Sequence, residues 1–263
     1  MKINKTLFLL PVVLLTSCAR ELTKEELDRR LANVRSNYLP LLNTSYEIKL
    51  SQKTTDKNGK TTYDREALYT YEKNFGLHFY EESVEPTNDN KKEFIDYYAV
   101  TDANGDEIRY CHYDYAEQKN QEAFVGKDIK KEETRLPTIV ESKYKSTVSS
   151  LEGYASEYQG IDKTFVAYAG HIKVYGIGEE DLKIVVAYKE KDNPSSGDYN
   201  YKTDITAIYK DGKISSYKEV TTTTEGKKTT FNFSVSYKEP DIKLPKKWKD
   251  YINKDDSNNG TQR

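Results

Sequence analysis

The sequence predicts a mainly β (α+β) protein: a curved antiparallel sheet, or incomplete β-barrel, with two or more helices packed on one face. Three observations lead there. Apolar and polar residues alternate through Tyr46–Leu50 and Phe231–Tyr237, and Leu182, Ile184, Val186 and Tyr188, then Tyr201, Thr203, Ile205, Ala207 and Tyr209, share one face at period two, the pattern of strands with one covered face. Asn58-Gly59, Ala103-Asn104-Gly105-Asp106, Asp211-Gly212 and Glu225-Gly226 stand between apolar runs, where a chain reversal needs residues that tolerate positive φ. Two other stretches carry apolar residues at helical spacing.

The first helix opens at Thr23-Lys24-Glu25-Glu26, which has capping-box form, because Thr23 and Glu26 can each satisfy the other's backbone amide. Leu27, Leu31, Val34 and Tyr38 then form one stripe, and Pro40 ends the run. The polar face mixes Lys24 and Arg29 with Glu25 and Asp28, which fits packing on a sheet better than lying in a membrane surface. Strands are expected at Tyr46–Leu50, from 61 to about 73 with Tyr69 and Tyr71 on one face, at 75–79, at 94–100 and at 108–115. The polar stretch 82–92 reads as a loop. The charged stretch 116–136 reads as a short helix and a mobile loop. After Pro137, the spacing of Val148, Leu151, Ala155 and Tyr158 predicts a second helix closed by Gly160. Leu182–Tyr188, Tyr201–Tyr209, Lys213–Thr224 and Thr229–Tyr237 make the clearest β region, with a Pro-Ser-Ser-Gly loop at 194–197.

Composition narrows the function. Hydrophobic residues are 36% of the 263 and charged residues 32%, a share that argues against a large, deep core. Tyr occurs 23 times against one Trp and one Met, which suits pleated, half-wet surfaces. The formal net charge is −2, and −4 once Lys2 and Lys5 leave with residues 1–17. No basic stripe emerges, so nucleic acid is not an expected partner.

At the N-terminus, Lys2 and Lys5 precede an apolar run, Leu7–Leu15, broken by Pro11. That run is shorter than the roughly 20 residues a membrane span needs and has the length of a secretory signal core. Leu15-Thr16-Ser17-Cys18 resembles the bacterial lipobox. The resemblance implies that residues 1–17 are a signal peptide and that Cys18 is the lipid-attachment residue. It places the mature chain on the extracytoplasmic face of the cell membrane, anchored by lipid. On this reading 18–22 is a lipidated tether, 23–252 the domain and 253–263 a disordered tail.

Enzyme chemistry is not expected. Lipidation of Cys18 would leave Cys111 as the free thiol, and it reads as a small packed residue in the run Ile108–Tyr113. His112 beside it points to the other face of a strand, so the two cannot converge on one atom. His78 and His171 stand alone, without metal-ligand spacing. Carboxylate pairs such as Glu81-Glu82 and Glu132-Glu133 sit in charge-rich surroundings. No nucleophile elbow, phosphate-binding glycine loop or zinc motif occurs. The expectation is therefore no catalytic residue, no metal and no cofactor.

The lipobox, the two helices, the long strands, the Lys210-Asp211-Gly212-Lys213 turn, and Ile242-Lys243-Leu244-Pro245 followed by Trp248 together resemble the half-barrel lipoproteins of the LolA and LolB kind. That resemblance implies a sheet curled around an apolar groove that shelters a lipid or other amphipathic ligand. Candidate groove residues are Tyr46, Ile48, Leu50, Tyr69, Tyr71, Phe79, Ile184 and Val186. Each also fits a plain role in the core against the helices. The alternative function is a cell-surface interaction protein that meets a protein partner through Tyr-rich faces.

Overall fold

The computed structural model describes residues 20–37, 44–85, 91–101, 107–115, 118–128, 137–156, 165–167, 170–190 and 201–245. They form two helices, α1 (Lys24–Ser36) and α2 (Thr138–Ser156). The strands are β1 (Tyr46–Thr55), β2 (Thr61–Glu72), β3 (Gly76–Glu85), β4 (Lys91–Thr101), β5 (Glu107–Tyr115), β6 (Gln118–Asp128), β7 (Phe165–Ala167), β8 (Gly170–Ile177), β9 (Asp181–Glu190), β10 (Tyr201–Lys210), β11 (Lys213–Thr223) and β12 (Lys228–Ser236).

All twelve strands belong to one antiparallel sheet in the order β6-β5-β4-β3-β2-β1-β12-β11-β10-β9-β8-β7. It is two meanders of six strands joined where β1 pairs with β12, each meander preceded by a helix. The sheet stays open, with β6 and β7 as its edges. The expected class, a mainly β incomplete barrel with helices on one face, is what the chain builds.

The turns form where the backbone chemistry asks for them. Gly59 and Gly226 have positive φ, and Asp211 and Gly212 both do, with φ of 47° and 75°. That last pair makes the kind of two-residue hairpin that matches strand twist. The Asp56 carboxylate accepts from the amides of Asn58 and Lys60, both at 2.9 Å, and holds the β1–β2 turn. The capping box of α1 is complete: the Glu26 amide donates to the Thr23 hydroxyl at 3.2 Å and the Thr23 amide to the Glu26 carboxylate at 3.1 Å.

Four expectations need correction. Residues 82–85 and 91–92 are strand: β3 and β4 extend into the stretch read as loop, and only 86–90 lie outside the described residues. Charge misled that reading, since Lys92, which stands opposite Val84, reaches diagonally across the ladder to Glu82 and pairs with it at 2.5 Å. Residues 118–128 are β6, not a helix and mobile loop. Strands β7 and β8 escaped notice because Gly170 and Gly176 dilute their pattern. Of the expected tether, Arg20 already pairs with Gly176 and Leu22 is buried. Tyr38, Pro40, Cys18, the turn at 103–106, the loop at 194–197, Gly160, Trp248 and the tail 253–263 lie outside the described residues.

The core lies between the helices and the concave face. Leu27, Leu31 and Val34 of α1 and Val140, Tyr144 and Leu151 of α2 pack on Tyr46, Ile48, Leu50, Ile184, Tyr209, Ile214 and Phe233. Polar contacts fix the helices in place. The Tyr144 hydroxyl donates to the Val34 carbonyl at 3.0 Å, joining α2 to the end of α1. Thr147 shares a hydrogen bond with the Tyr209 hydroxyl, and Lys24 donates to the Ala155 carbonyl at 2.9 Å.

Candidate ligand face

Residues directly opposite in a ladder share a face of the sheet, so the register lays out the concave surface in rows. Tyr46, Tyr71, Leu77 and Ala99 form the first row across β1–β4. Ile48, Tyr69, Phe79 and Tyr97 form the second, and Leu50, Ala67, Glu81 and Ile95 the third. Gln52, Arg65, Ser83 and Glu93 form the fourth. It continues from Gln52 through Phe231 to Glu219 and Ile205. A last row sets Thr203, Thr221, Thr229, Thr54 and Tyr63 side by side. Along the strands the face thus passes from aromatic and aliphatic, near α1, to charged and hydroxyl-bearing.

The helices cover only part of it. Among the described residues, the core cluster under the helices draws on β1, β2 and β8–β12 and on no residue of β3 or β4, while Tyr98, Ala99 and Val100 of β4 are buried apart from it. Five of the eight candidate groove residues fall under the helices: Tyr46, Ile48 and Ile184 are fully buried, Leu50 is 2% exposed and Val186 7%. Tyr69, Tyr71 and Phe79 are half-buried at the margin of the core. The rings of Tyr69 and Phe79 stack with centroids 4.4 Å apart, and Tyr46 and Tyr71 meet at 5.5 Å. The structure therefore splits the eight into a closed set and an open shelf.

Charge appears one row further on. Arg65 and Glu81 pair at 2.6 Å with both side chains 21% exposed. Burial is the largest influence on Arg65 and works against its charge, and the hydrogen bond and attraction of Glu81 outweigh it. Arg65 Nε is buried with no hydrogen-bond partner among the described residues. Burial, the main cause, pushes the Tyr69 hydroxyl above the ordinary phenol range. At the other end of the row, Lys143 of α2 pairs with Glu219 at 2.5 Å and lies over the rings of Tyr217 and Phe231, 5.8 and 5.9 Å from their centroids. Below, the hydroxyls of Thr203 and Thr221 meet at 3.0 Å and those of Thr54 and Thr229 at 3.1 Å. Both cations, Arg65 and Lys143, are neutralised by a carboxylate.

Arg65, Glu81, Gln52, Lys143 and Glu219 were not among the sequence candidates. A signal for Gln52 and Arg65 existed: counting outward from Asn58-Gly59 puts them opposite each other, the register that β1 and β2 hold beyond the shift at Thr54 and Thr55. Lys143 and Glu219 are 76 residues apart and left no local trace.

The remaining candidates are dispersed. His78 shares a 2.8 Å hydrogen bond with Asp96 and stacks on Tyr98 at 4.1 Å, on the outer face. His171 is exposed on β8. In the ladder Cys111 stands opposite Tyr97, and His112 opposite Asp96. Among the described residues, no group of three or more His, Cys, Asp or Glu side chains is placed to hold a metal ion, and no helix is long and apolar enough to cross a membrane.

No protein-family model matches the chain, and no curated protein matches it. Among solved structures, it is similar to LprF from Mycobacterium bovis, with 9% identity and a TM-score of 0.33 over 86% of this chain and 98% of that one. A DUF1329 family protein from Desulfovibrio piger gives 9% identity and a TM-score of 0.26 over 86% of this chain and 95% of that one. A β-barrel-like DUF1849 protein from Brucella abortus gives 12% and 0.22 over 76% and 98%. At TM-scores this low the likeness decides nothing about function.

Proposed function

We propose that this chain is a lipid-anchored extracytoplasmic binding protein, held to the membrane through Cys18, that takes an amphipathic ligand on the uncovered part of its concave face. It is a binder and not an enzyme. One observation supports the reading above others: the face over β2–β4 runs from the stacked Tyr69 and Phe79 to the Arg65–Glu81 pair within two rows. Successive same-face residues on a strand are about 7 Å apart, so an apolar tail and a polar head of ordinary size reach both at once. Binding sites of this kind are mostly apolar with a few placed polar groups.

The test is organic extraction of the purified protein followed by mass spectrometry. An amphiphile is expected in near-stoichiometric amount, and its loss is expected in Phe79→Asp, with folding checked by circular dichroism. A protein that carries no amphiphile and takes up none from mixed lipid micelles refutes the reading.

A second reading is favoured by the filled groove. Leu27, Leu31 and Leu151 occupy the space over Tyr46, Ile48, Leu50 and Ile184 that a deep lipid cavity would need. On that account the Tyr-rich shelf meets a surface protein. Crosslinking in intact cells that captures one dominant partner through Tyr69 or Phe79, with no lipid present, would establish it.

A further inference from the structure

The chain is fixed to the sheet almost as soon as it leaves the proposed anchor. The Arg20 amide donates to the Gly176 carbonyl at 3.1 Å, and the Gly176 amide donates to the Arg20 carbonyl at 2.7 Å. Leu22 is in the core, so close to β8 that a Cβ on Gly176 would come 2.6 Å from its Cδ2. Thr23 then caps α1. One residue, Ala19, stands between Cys18 and Arg20, two steps along the chain with a reach of about 7 Å at full extension. Five free residues would have given about 17 Å.

The attachment point is at one end of the half-barrel. α1 lies across the ends of the strands there. Arg30 donates to the carbonyls of Gly178 and Asp181 in the β8–β9 turn, and Arg29 pairs with Glu180. Further along, a Cβ on Gly212 would come 2.6 Å from the Asn33 carbonyl oxygen, so the β10–β11 turn closes on the end of the helix. Turns 56–60 and 224–227 are at the opposite ends of their strands.

We infer that the end capped by α1 is a bilayer-seating surface, resting on the reading that Cys18 is lipidated. The acyl chains draw the β8–β9 turn at 178–180 and the first turn of α1 against the headgroups of the membrane, with no stalk between. The hydroxyl-bearing end of the concave face then points away from the bilayer, and its aromatic end lies toward it.

The charges say how the seat is held. Arg20 is taken by Glu26, Lys24 by Asp28 and Arg29 by Glu180. The carboxylates of Glu21, Glu25 and Glu179 have no cationic partner among the described residues. A polybasic surface gains about 1 kcal/mol per Lys or Arg near anionic lipid, and among the described residues 20–29 and 178–180 carry no such surplus. Contact therefore depends on the acyl chains and on the shortness of the link.

The experiment uses the lipidated protein on vesicles of phosphatidylglycerol and phosphatidylethanolamine. Hydrogen–deuterium exchange is compared with a variant carrying about twelve Gly and Ser residues between Ala19 and Arg20, a spacer with a mean span of roughly 19 Å. The mass of the N-terminal peptide reads acylation in the same run. Amides of 21–25 and 178–180 are expected to exchange several-fold more slowly without the spacer, while 57–60 and 225–227 are the same in both. An acylated protein with equal exchange at 178–180 in both forms, or with protection at 225–227 instead, overturns the seat and leaves the anchor standing. An N-terminal peptide without acyl groups overturns both.

Discussion

Replacing Arg30 should separate the cost of its charge from the value of its contacts. Arg30 is fully buried. Its guanidinium donates to two backbone carbonyls, that of Asp181 and that of Gly178 at 3.1 Å, while Nε has no partner. Burial, the dominant influence, and then repulsion from Arg20 depress its pKa, against the attraction of Glu26. Hydrogen bonds to a charged group contribute about 1.5–3 kcal/mol each, so the two together are worth about 3–6 kcal/mol before desolvation is counted. Desolvation of a buried ion takes back several kcal/mol. Arg30→Ala removes the bonds and the packed stem, and should cost about 4 kcal/mol, or roughly 8–16 °C in Tm for a domain of this size. Arg30→Met keeps the stem and removes the charge, and should cost about 2 kcal/mol, chiefly for unpaired carbonyls. Arg30→Lys should fall between them, since an ammonium cannot fork to both carbonyls as the guanidinium does. Urea unfolding of the chain lacking residues 1–18 measures all three, with equal m-values as the check that only stability has changed. If Met is as damaging as Ala, the stem contributes nothing and the argument fails. If Ala costs less than about 1 kcal/mol, α1 is not held by this clamp.

Two further predictions concern the same end of the molecule. Gly212→Ala meets both a φ of 75° and the Asn33 carbonyl oxygen 2.6 Å from the new Cβ, so it should cost about 2–3 kcal/mol and loosen α1. Gly59→Ala meets a φ of 81° with nothing within 4 Å and should cost only about 1 kcal/mol; equal losses in thermal unfolding would show that the contact with α1 is unimportant. The Arg20 hydrogen bond, followed by that from the Thr23 amide, lowers the Glu26 carboxyl from 4.5 to about 2. The contribution of a lowered acid is present above its unfolded pKa and is lost as pH falls through the folded one. NMR titration should therefore place the Glu26 midpoint near 2, with the Arg20–Gly176 amides opening as pH drops from 4.5 toward that value; a midpoint above 4 would show that the cap and ion pair do not form.

The fold was legible wherever one face of an element is covered and its turn is short. β10 alternates buried and half-buried from Thr203 to Tyr209, and β12 does so from Phe231 to Val235. Their turns carry Asp211-Gly212 and Gly226 at positive φ. In β3–β6 the strands at 75–79, 94–100 and 108–115 were legible, but the far half of β3, the start of β4 and the whole of β6 were not. Beyond Phe79 the strand runs Tyr80-Glu81-Glu82-Ser83-Val84, all half-buried, so neither face is marked by hydrophobicity and the period of two disappears. Cross-strand charge pairs such as Lys92–Glu82 do there what apolar packing does elsewhere, and in sequence they look like loop.

The site divides along the same line. Tyr46 and Tyr71 stand opposite each other in the ladder, with rings 5.5 Å apart, and Ile48 stands opposite Tyr69. Residue type and period are alike on the two strands, yet the β1 members are closed and the β2 members half-open. What separates them is where the helices stop. α1 is tied to the β8–β9 turn by Arg29 and Arg30 and lies against the β10–β11 turn where Gly212 meets Asn33, and α2 is tied to the sheet by Thr147 on Tyr209 and Lys143 on Glu219. Every one of those ties is to the second meander or its turns. Both helices are thus drawn toward β8–β12, and the concave face beyond β1 is left to Tyr69, Tyr71 and Phe79. Contacts across 62 to 151 residues decide this, and a local pattern in sequence cannot carry them. The half-open shelf follows from the one-sided attachment of the helices, more than from any property of its tyrosines.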